Sequence, residues 1–276
     1  MKDTPLPPME RALLGFVLIV SLFLRVTATD VFVTQDEVYW HERSLNFSQA
    51  LGQHNWLETY QRGHPGVLTM WLGTAVDRIP PLQQALVGTA GVARGLLQAP
   101  AATPGTGLAP LTVASRGLVG LVTWLAILPL FPLLRRLFGA RSALLAVTLV
   151  ALDPFFLAHS RLHHLDALLT AFATLSLVCL LVYRLRGRQI GYLLASGATA
   201  ALATANKSPG VLLVVVAAVV LVIPSLLDPA RRWKEARRDG RDLALWSLTA
   251  AFVFVAIWPA MWVDPAGTLR KVFDTA

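Results

Sequence analysis

Long runs of apolar residues, separated by short polar loops, are the dominant pattern along this chain. No charged residue interrupts 13–24 or 211–223. Since a helix needs about 20 mainly apolar residues to cross the hydrocarbon core of a bilayer, the runs predict an all-α fold, a polytopic transmembrane helical bundle with about seven spans. The predicted spans cover residues 11–29, 111–131, 142–158, 165–183, 189–205, 210–227 and 243–259.

The positions of the basic residues predict how this bundle is oriented. The loops at 184–188 and 231–241 are strongly basic, and basic loops stay on the cytoplasmic side of a membrane. An even number of spans must connect them, and two spans joined by a bend at 206–209 satisfy that requirement. The same rule places the N-terminus in the cytoplasm and predicts a multi-pass protein of the cell membrane. The outer side then holds a long first loop, residues 30–110, and a turn at 159–164.

The first outer loop contains two apolar stretches that are short for membrane spans. The first runs from Pro65 to Val76, and the second follows Pro80-Pro81 and ends near Leu97. Both are typical of interfacial helices that lie along the membrane surface, and residues 66–76 are the best candidate. The stretch 99–110 is predicted to be a linker because it is rich in proline, glycine and threonine.

Composition supports a membrane protein and argues against nucleic-acid binding. Hydrophobic residues make up 55% of the chain and charged residues 14%, against roughly 25% charged in a typical soluble domain. The net charge of +8 comes from basic residues in loops between apolar runs, so the membrane explains it and no nucleic-acid partner is expected. The single cysteine, Cys179, excludes an internal disulfide and a paired-cysteine metal site.

Ionisable residues collect on the predicted outer side, where they suggest a cavity with an active site. Asp36 and Glu37 follow the first span directly. Adjacent carboxylates can supply a general base and a group that orients it or binds a cation, although a solvated loop pair is the alternative. The segment 151–172 is the richest in such groups. It contains Asp153, His159, Arg161, His163, His164 and Asp166.

Three basic groups on the same side are candidates for binding an anion. The planar guanidinium of Arg161 suits a phosphate. Lys207, at an outer helix end, can attract an anionic head group or simply extend to the interface. His64, after Arg62-Gly63, can hydrogen-bond a substrate hydroxyl or phosphate, or merely occupy a turn. The histidines and aspartates of segment 151–172 can also bind a divalent metal, with His163 and His164 as candidates, although their spacing matches no standard site.

The order of these motifs resembles the polyprenol-phosphate-sugar-dependent membrane glycosyltransferases, in particular the protein O-mannosyltransferases and the bacterial aminoarabinose transferases. The resemblance covers residues 11–260 or so and rests on four features in order. They are Asp36-Glu37 after the first span, His64-Pro65-Gly66 later in the same loop, Ser160-Arg161 with Asp166 at the fourth span, and Lys207.

This chain departs from the family pattern at the second of these motifs and in its length. Gly66 stands where the family has a second proline, and the lysine that often follows the motif is missing. Family members are also usually longer. The chain is therefore expected to be a single membrane-embedded module, residues 1–276, that corresponds to a fragment without the C-terminal spans or to a short relative.

The resemblance implies a glycosyltransferase with a polyprenyl-phosphate-linked sugar as donor and a hydroxyl of a protein, lipid or glycan as acceptor. Asp36 would be the general base of an inverting transfer on the outer face. Arg161, assisted by Lys207 or Arg62, would stabilise the leaving phosphate, while Glu37, Asp166 and His64 would orient the substrate. The scheme requires no cofactor and is compatible with a divalent metal. The alternatives are a lipid or solute transporter or flippase, and a non-catalytic membrane scaffold.

Overall fold

The computed structural model describes residues 6–27, 29–30, 32–97, 110–226 and 233–275. Throughout these residues the chain forms helices joined by turns, without a β-strand. The prediction of an all-α chain is confirmed. Most of the predicted linker 99–110 lies outside the described residues.

Short connections separate the helices, which we number in chain order. The α-helices are α1 (Pro8–Val26), α2 (Gln35–Gly52), α3 (Val67–Arg78), α4 (Pro80–Leu97), α5 (Pro110–Ile127), α6 (Leu130–Phe138), α7 (Ala140–Leu152), α8 (Pro154–Ser160), α9 (Asp166–Leu185), α10 (Ile190–Asn206), α11 (Leu212–Leu221), α12 (Ile223–Leu226), α13 (Trp233–Ile257), α14 (Ala260–Val263) and α15 (Pro265–Thr275). Short 3₁₀ helices cover Trp56–Thr59 and Ser208–Val211.

Every predicted span coincides with helix, but the helices differ in length and polarity. Pro110–Phe138, α9 and the Glu235–Ile257 part of α13 are long and apolar enough to cross a membrane. Helices α7 and α8 meet at an angle of 52° and count as a fourth span if taken together. Of the other predicted spans, α10 has 17 residues and α11 has 10. The count of about seven spans therefore remains a prediction.

The first outer loop is helical where the sequence predicted it. Helix α3 covers the expected stretch at 66–76, and α4 follows after a single residue, Ile79. Neither meets the criteria for a membrane span. Their placement along the membrane surface remains a prediction.

The chain divides into two compact units, each with its own packing. The first unit comprises Met1–Glu42 and Leu72–Ala167. In it α1 packs on α5 and α7. A Cβ on Gly120 of α5 would come within 3.0 Å of the backbone oxygen of Arg25, so the small residue permits this close approach. Arg25 is buried and donates a hydrogen bond to the carbonyl oxygen of Ala151 at 2.9 Å.

The second unit comprises Arg43–Trp71 and Leu168–Ala276, and its core forms where α10 packs on α13. Gly197 makes this contact possible, because a Cβ there would lie 2.8 Å from the backbone oxygen of Trp246. The indole N–H of the buried Trp246 donates to Ser196 Oγ at 2.9 Å. The polar end of the largest core side chain is thus satisfied within the core.

Candidate active site

A buried ion pair between Glu37 and Arg116 forms the centre of the polar site in the first unit. Arg116 Nε donates to Glu37 Oε1 at 2.7 Å, and Arg116 Nη2 donates to Glu37 Oε2 at 2.6 Å. Glu37 is 0% exposed and Arg116 is 1% exposed. This two-point contact matches the planar guanidinium to the planar carboxylate and fixes the orientation of both groups.

The start of α2 explains why Glu37 turns inward. Its carboxylate reaches back to the residue before the helix and accepts hydrogen bonds from the backbone N–H and the hydroxyl of Thr34, at 3.0 and 3.1 Å. A glutamate at the third helical position commonly satisfies the free N–H at the helix start in this way. The backbone N–H of His163 adds a further hydrogen bond at 2.9 Å. Every lone pair of the Glu37 carboxylate is thus occupied.

Opposing effects act on the protonation of Glu37. Burial raises its pKa, but the hydrogen bonds from Arg116, Thr34 and His163, together with the charge of Arg116, more than offset burial. The pKa of Glu37 therefore lies below its usual value, and the group is an anion at neutral pH. Because its carboxylate oxygens already accept these hydrogen bonds, Glu37 is suited to a structural role, in which it holds Arg116, Thr34 and the backbone of His163 in place.

Arg116 is a site residue that the sequence analysis missed. Besides Glu37, its guanidinium donates to the backbone oxygens of Thr29, at 2.7 Å, and Phe32. It therefore ties the segment between α1 and α2 to α5. The available signal was its position inside the predicted span 111–131, since an ionisable residue in an apolar span usually has a functional partner.

Asp36 points away from this buried pair. Its side chain is 68% exposed, and its Oδ2 lies 3.2 Å from Nε2 of His164. The other ring nitrogen of His164, Nδ1, lies 3.3 Å from Oδ2 of Asp166. One imidazole thus bridges two carboxylates that are 130 residues apart in the sequence, and it orients the exposed carboxylate of Asp36.

Two further histidines, His41 and His163, stack behind Glu37. Their ring centroids are 4.5 Å apart with an interplanar angle of 20°. His163 is fully buried, and burial, followed by the neighbouring His41, lowers its pKa to about 3. Burial likewise lowers the pKa of His41, with opposing effects from the charges of Glu37 and Arg116. Both rings are neutral at physiological pH.

Arg161 follows α8 directly and is half-buried. Burial lowers its pKa below the usual value, and the charge of Arg116 lowers it further. The sequence motif Ser160-Arg161 thus places a second guanidinium in the electrostatic range of the first.

The remaining predicted site residues lie in the second unit, around the bend that follows α10. Nδ1 of His64 lies 3.3 Å from Oγ of Ser208. The backbone N–H of Gly66 donates to the carbonyl oxygen of Asn206 at 2.9 Å, and Asn206 Oδ1 accepts a hydrogen bond from the hydroxyl of Thr69 at 2.9 Å. The His64-Pro65-Gly66 turn is therefore fixed directly against the bend that carries Lys207.

Gly66 has φ = +60°, which explains a departure from the family motif. Proline is restricted to φ near −65°, so it cannot occupy this conformation. The turn at this position in the chain therefore differs physically from one with two consecutive prolines. Arg62, just before it, is exposed.

The structure thus gathers the predicted residues into two groups. Asp36, Glu37, Arg161, His163, His164 and Asp166 belong to the first unit. Arg62, His64 and Lys207 belong to the second. Among the described residues, His159, His164 and Asp166 are close enough together to bind one metal ion, because their possible ligand atoms lie within 4.8 Å of one another. This group includes His164, as the sequence suggested, and His159 in place of the buried His163.

Together these features define a class, a helical membrane protein with an exposed carboxylate beside a buried, oriented ion pair. The chain belongs to the dolichyl-phosphate-mannose-protein mannosyltransferase family, whose family model matches residues 112–261, more than half of the chain. Membership makes it a membrane glycosyltransferase of the protein-mannosyltransferase type, as the resemblance implied. Searches of curated proteins and of solved structures gave no match. The matched region contains Arg116, Arg161, Asp166 and Lys207, whereas Asp36 and His64 precede it.

Proposed function

We propose that this protein transfers a sugar from a polyprenyl-phosphate-linked donor to an acceptor hydroxyl on the non-cytoplasmic face of the membrane, with inversion at the anomeric carbon. The observation that carries the proposal is the contrast between two adjacent carboxylates. Glu37 is buried and fully hydrogen-bonded, whereas Asp36 is exposed and held by His164. Only Asp36 is free to approach a substrate hydroxyl.

In the proposed reaction, Asp36 takes the proton of the acceptor hydroxyl as that oxygen attacks the anomeric carbon. The bond between this carbon and the phosphate oxygen breaks, and polyprenyl phosphate leaves. Attack opposite the leaving group inverts the configuration. Glu37 and His164 position the reacting group, because Glu37 fixes the start of α2 and His164 holds the Asp36 carboxylate. Asp166 holds the other side of the His164 ring.

Positive side chains would stabilise the charge that grows on the leaving phosphate. In the first unit this role falls to Arg161, whose planar guanidinium suits a phosphate. In the second unit Lys207 and Arg62 are the candidates, and His64 can donate a hydrogen bond. The reaction as written balances without a metal ion.

An apolar cavity in the second unit supports a lipid donor. It has a volume of about 410 Å³ and is lined almost entirely by apolar side chains, including Val214, Ala251 and Phe254. Thr204 and Val211, which also line it, flank the bend with Lys207. A lipid tail in this cavity would leave its phosphate near the level of that lysine.

The experiment that tests the proposal is a transfer assay with the purified chain in detergent or liposomes. The donors are polyprenyl phosphate mannose and, for comparison, a mannose-bearing nucleotide sugar, and the acceptor is a peptide rich in serine and threonine. We expect transfer from the lipid donor only, and NMR of the product should show the anomeric configuration opposite to that of the donor. Transfer from the nucleotide sugar alone, or retention of configuration, would contradict the proposal.

A further inference from the structure

Three side chains that can bind a metal lie around the turn between α8 and α9, one at the end of α8, one in the turn and one at the start of α9. His159, His164 and Asp166 each offer one ligand atom, and these atoms lie within 4.8 Å of one another. All three residues are half-buried. We propose that they form a binding site for one divalent transition-metal ion of the zinc type. This inference does not depend on the proposed transfer reaction.

His164 lies between two carboxylates. Both ring nitrogens face carboxylate oxygens, Nε2 at 3.2 Å from Asp36 and Nδ1 at 3.3 Å from Asp166. A neutral imidazole has a single N–H. When Nε2 donates to Asp36, the lone pair of Nδ1 faces both the carboxylate of Asp166 and its backbone N–H, which donates a long hydrogen bond at 3.4 Å. A cation between Nδ1 and the Asp166 carboxylate would replace this weak contact with two coordination bonds.

This arrangement matches the way proteins usually support a metal-binding histidine. One ring nitrogen coordinates the ion, and the N–H of the other donates to a carboxylate, which fixes the tautomer and the orientation of the ring. Asp36 is placed as that supporting carboxylate. Asp166 and His164 would then be direct ligands.

His159 would be the third ligand, and the state of its ring supports the metal site independently of His164. Nδ1 of His159 is buried and makes no hydrogen bond to any of the described residues. A buried nitrogen without a partner costs free energy, and coordination of an ion by the His159 ring offers compensation. The ring centroids of His159 and His164 are 6.2 Å apart, so both rings can reach a common ion.

The donor set and its dimensions indicate the kind of ion. Imidazole nitrogens favour zinc, copper, nickel and iron over magnesium and calcium, which prefer oxygen ligands. Tetrahedral zinc, with bonds of about 2.0–2.2 Å, places ligand atoms about 3.5 Å apart. Nδ1 of His164 and Oδ2 of Asp166 are 3.3 Å apart, and all three ligand atoms lie within 4.8 Å of one another, so closure around an ion requires movements of only about 1 Å. Three protein ligands leave one coordination position for water or another molecule.

The direct test is metal binding by the purified full chain without a polyhistidine tag. After treatment with a chelator, the protein in detergent is titrated with Zn²⁺ alone and, separately, with Mg²⁺. We expect one tightly bound zinc per chain by elemental analysis and calorimetry, a higher Tm with zinc, and no binding of Mg²⁺. His159→Gln and Asp166→Asn should each weaken zinc binding at least tenfold. Asp36→Asn should weaken it by about 10–100-fold, as loss of a supporting carboxylate does.

The matched control is His54→Asn, which removes an exposed histidine of the second unit at a position with φ = 56° that asparagine tolerates. This variant should bind zinc like the wild type. The inference is overturned if the wild type binds no zinc, or if folded His159→Gln and Asp166→Asn proteins bind it with wild-type affinity. Gel filtration identifies which variants are folded. If only one of the two variants folds, its zinc affinity alone decides the test. Because the readout is metal binding, an inactive but zinc-binding protein would contradict only the proposed function.

Discussion

The two carboxylates at the start of α2 show how neighbouring residues acquire different roles. The side chain of Glu37 points into the protein, where Arg116, Thr34 and the backbone of His163 complete its hydrogen bonds. The side chain of Asp36 points outward. Adjacent positions on a helix face different directions, so two similar neighbouring residues become one buried, ion-paired carboxylate and one exposed carboxylate.

Removal of Arg116 should destabilise the protein strongly. Arg116→Met leaves Glu37 as an unpaired buried charge, and loss of one partner of a buried ion pair typically costs about 3–5 kcal/mol. The measurement is the Tm in detergent. The control is Arg270→Met, since Arg270 pairs with Asp274 and the two side chains are 84% and 67% exposed. Such pairs contribute about 0–1 kcal/mol. Equal losses in the two variants would contradict the structural role of the Glu37–Arg116 pair.

Replacement of His41 should weaken the dependence of stability on pH. Burial lowers the pKa of His41 in the folded protein, while the unfolded chain has the ordinary value of 6.5. As the pH falls below 6.5, the unfolded state binds a proton that the folded state does not, so stability is lost. One such proton changes the unfolding free energy by at most about 1.4 kcal/mol per pH unit.

The test compares the Tm at pH 7.5 and pH 5 for the wild type and for His41→Phe, which keeps an aromatic ring to stack on His163. We expect a smaller drop in the variant, and a higher Tm at pH 5, because the two buried ring nitrogens of His41 have no hydrogen-bond partner within the described structure. His54→Asn is the control and should keep the wild-type drop. An equal or larger drop in His41→Phe would refute this assignment.

Among single residues, the sequence pointed to candidate groups near the span ends but not to groups that are defined only by tertiary contacts. Asp36, Glu37, Arg161 and Asp166 were predicted because they stand near span ends in a recognisable order. Arg116 lies 79 positions from Glu37, and neither spacing nor local pattern reveals such a contact. His41 was missed for a related reason, since its stacking on His163 depends on tertiary packing.

Among the elements, the joint between α7 and α8 differs most from the sequence prediction. Residues 142–158 were expected to form one span, but the helix breaks at Asp153 with a bend of 52°. Asp153 Oδ1 accepts a hydrogen bond from the backbone N–H of Phe156 at 2.6 Å, and Pro154 occupies the first position of α8. Aspartate before proline is a strong helix-start signal, and the apolar run concealed it.

The break in α7–α8 also determines the site. A straight helix through residue 158 would carry its end along the axis of α7, whereas the bend redirects α8 and the turn that follows it. That turn contains Arg161, His163 and His164. The element that the sequence predicted least accurately is therefore the one that positions the richest group of ionisable residues.

Filling the apolar cavity of the second unit should weaken use of the lipid donor. Ala251→Trp places a large side chain in the cavity on α13, and we expect the KM for the polyprenyl donor to rise about tenfold, equivalent to about 1.4 kcal/mol of binding. The acceptor KM should not change. The measurement is the transfer assay at varied donor concentration.

The matched control is Leu248→Trp on the same helix, a position that is 67% exposed and does not line the cavity. It should leave the donor KM within about twofold of the wild type, since residue 248 is not part of the cavity lining. If Ala251→Trp behaves like Leu248→Trp, the cavity does not hold the donor tail.

For the molecule as a whole, the all-α class and the family were predictable from the sequence. The apolar runs, which are long enough for helices, predicted the all-α class, and the order of the motifs predicted the family. The division into two units could not be predicted, because each unit combines segments that are distant in the chain. Span count and orientation require a separate measurement, since helices such as α10 and α11 fall short of the usual length.

Accessibility of introduced cysteines tests the predicted orientation. Gln53→Cys and Thr89→Cys place exposed thiols in the first outer loop, and Arg186→Cys and Arg237→Cys place exposed thiols in the basic loops. In intact cells, a membrane-impermeant maleimide should label the first two and not the last two. The native Cys179 is buried and gives little background. Reversed labelling would place Asp36 in the cytoplasm and contradict the proposed face of the reaction.

The most direct test of the account is the turnover of Asp36→Asn with saturating lipid donor and acceptor. Asparagine keeps the size of the side chain but cannot accept the proton, so kcat should fall by about 10²–10⁴-fold while the Tm stays near that of the wild type. Glu42→Gln, which neutralises an exposed carboxylate on the same helix, should retain full activity. Wild-type turnover by a folded Asp36→Asn protein would contradict the assignment of Asp36 as the general base.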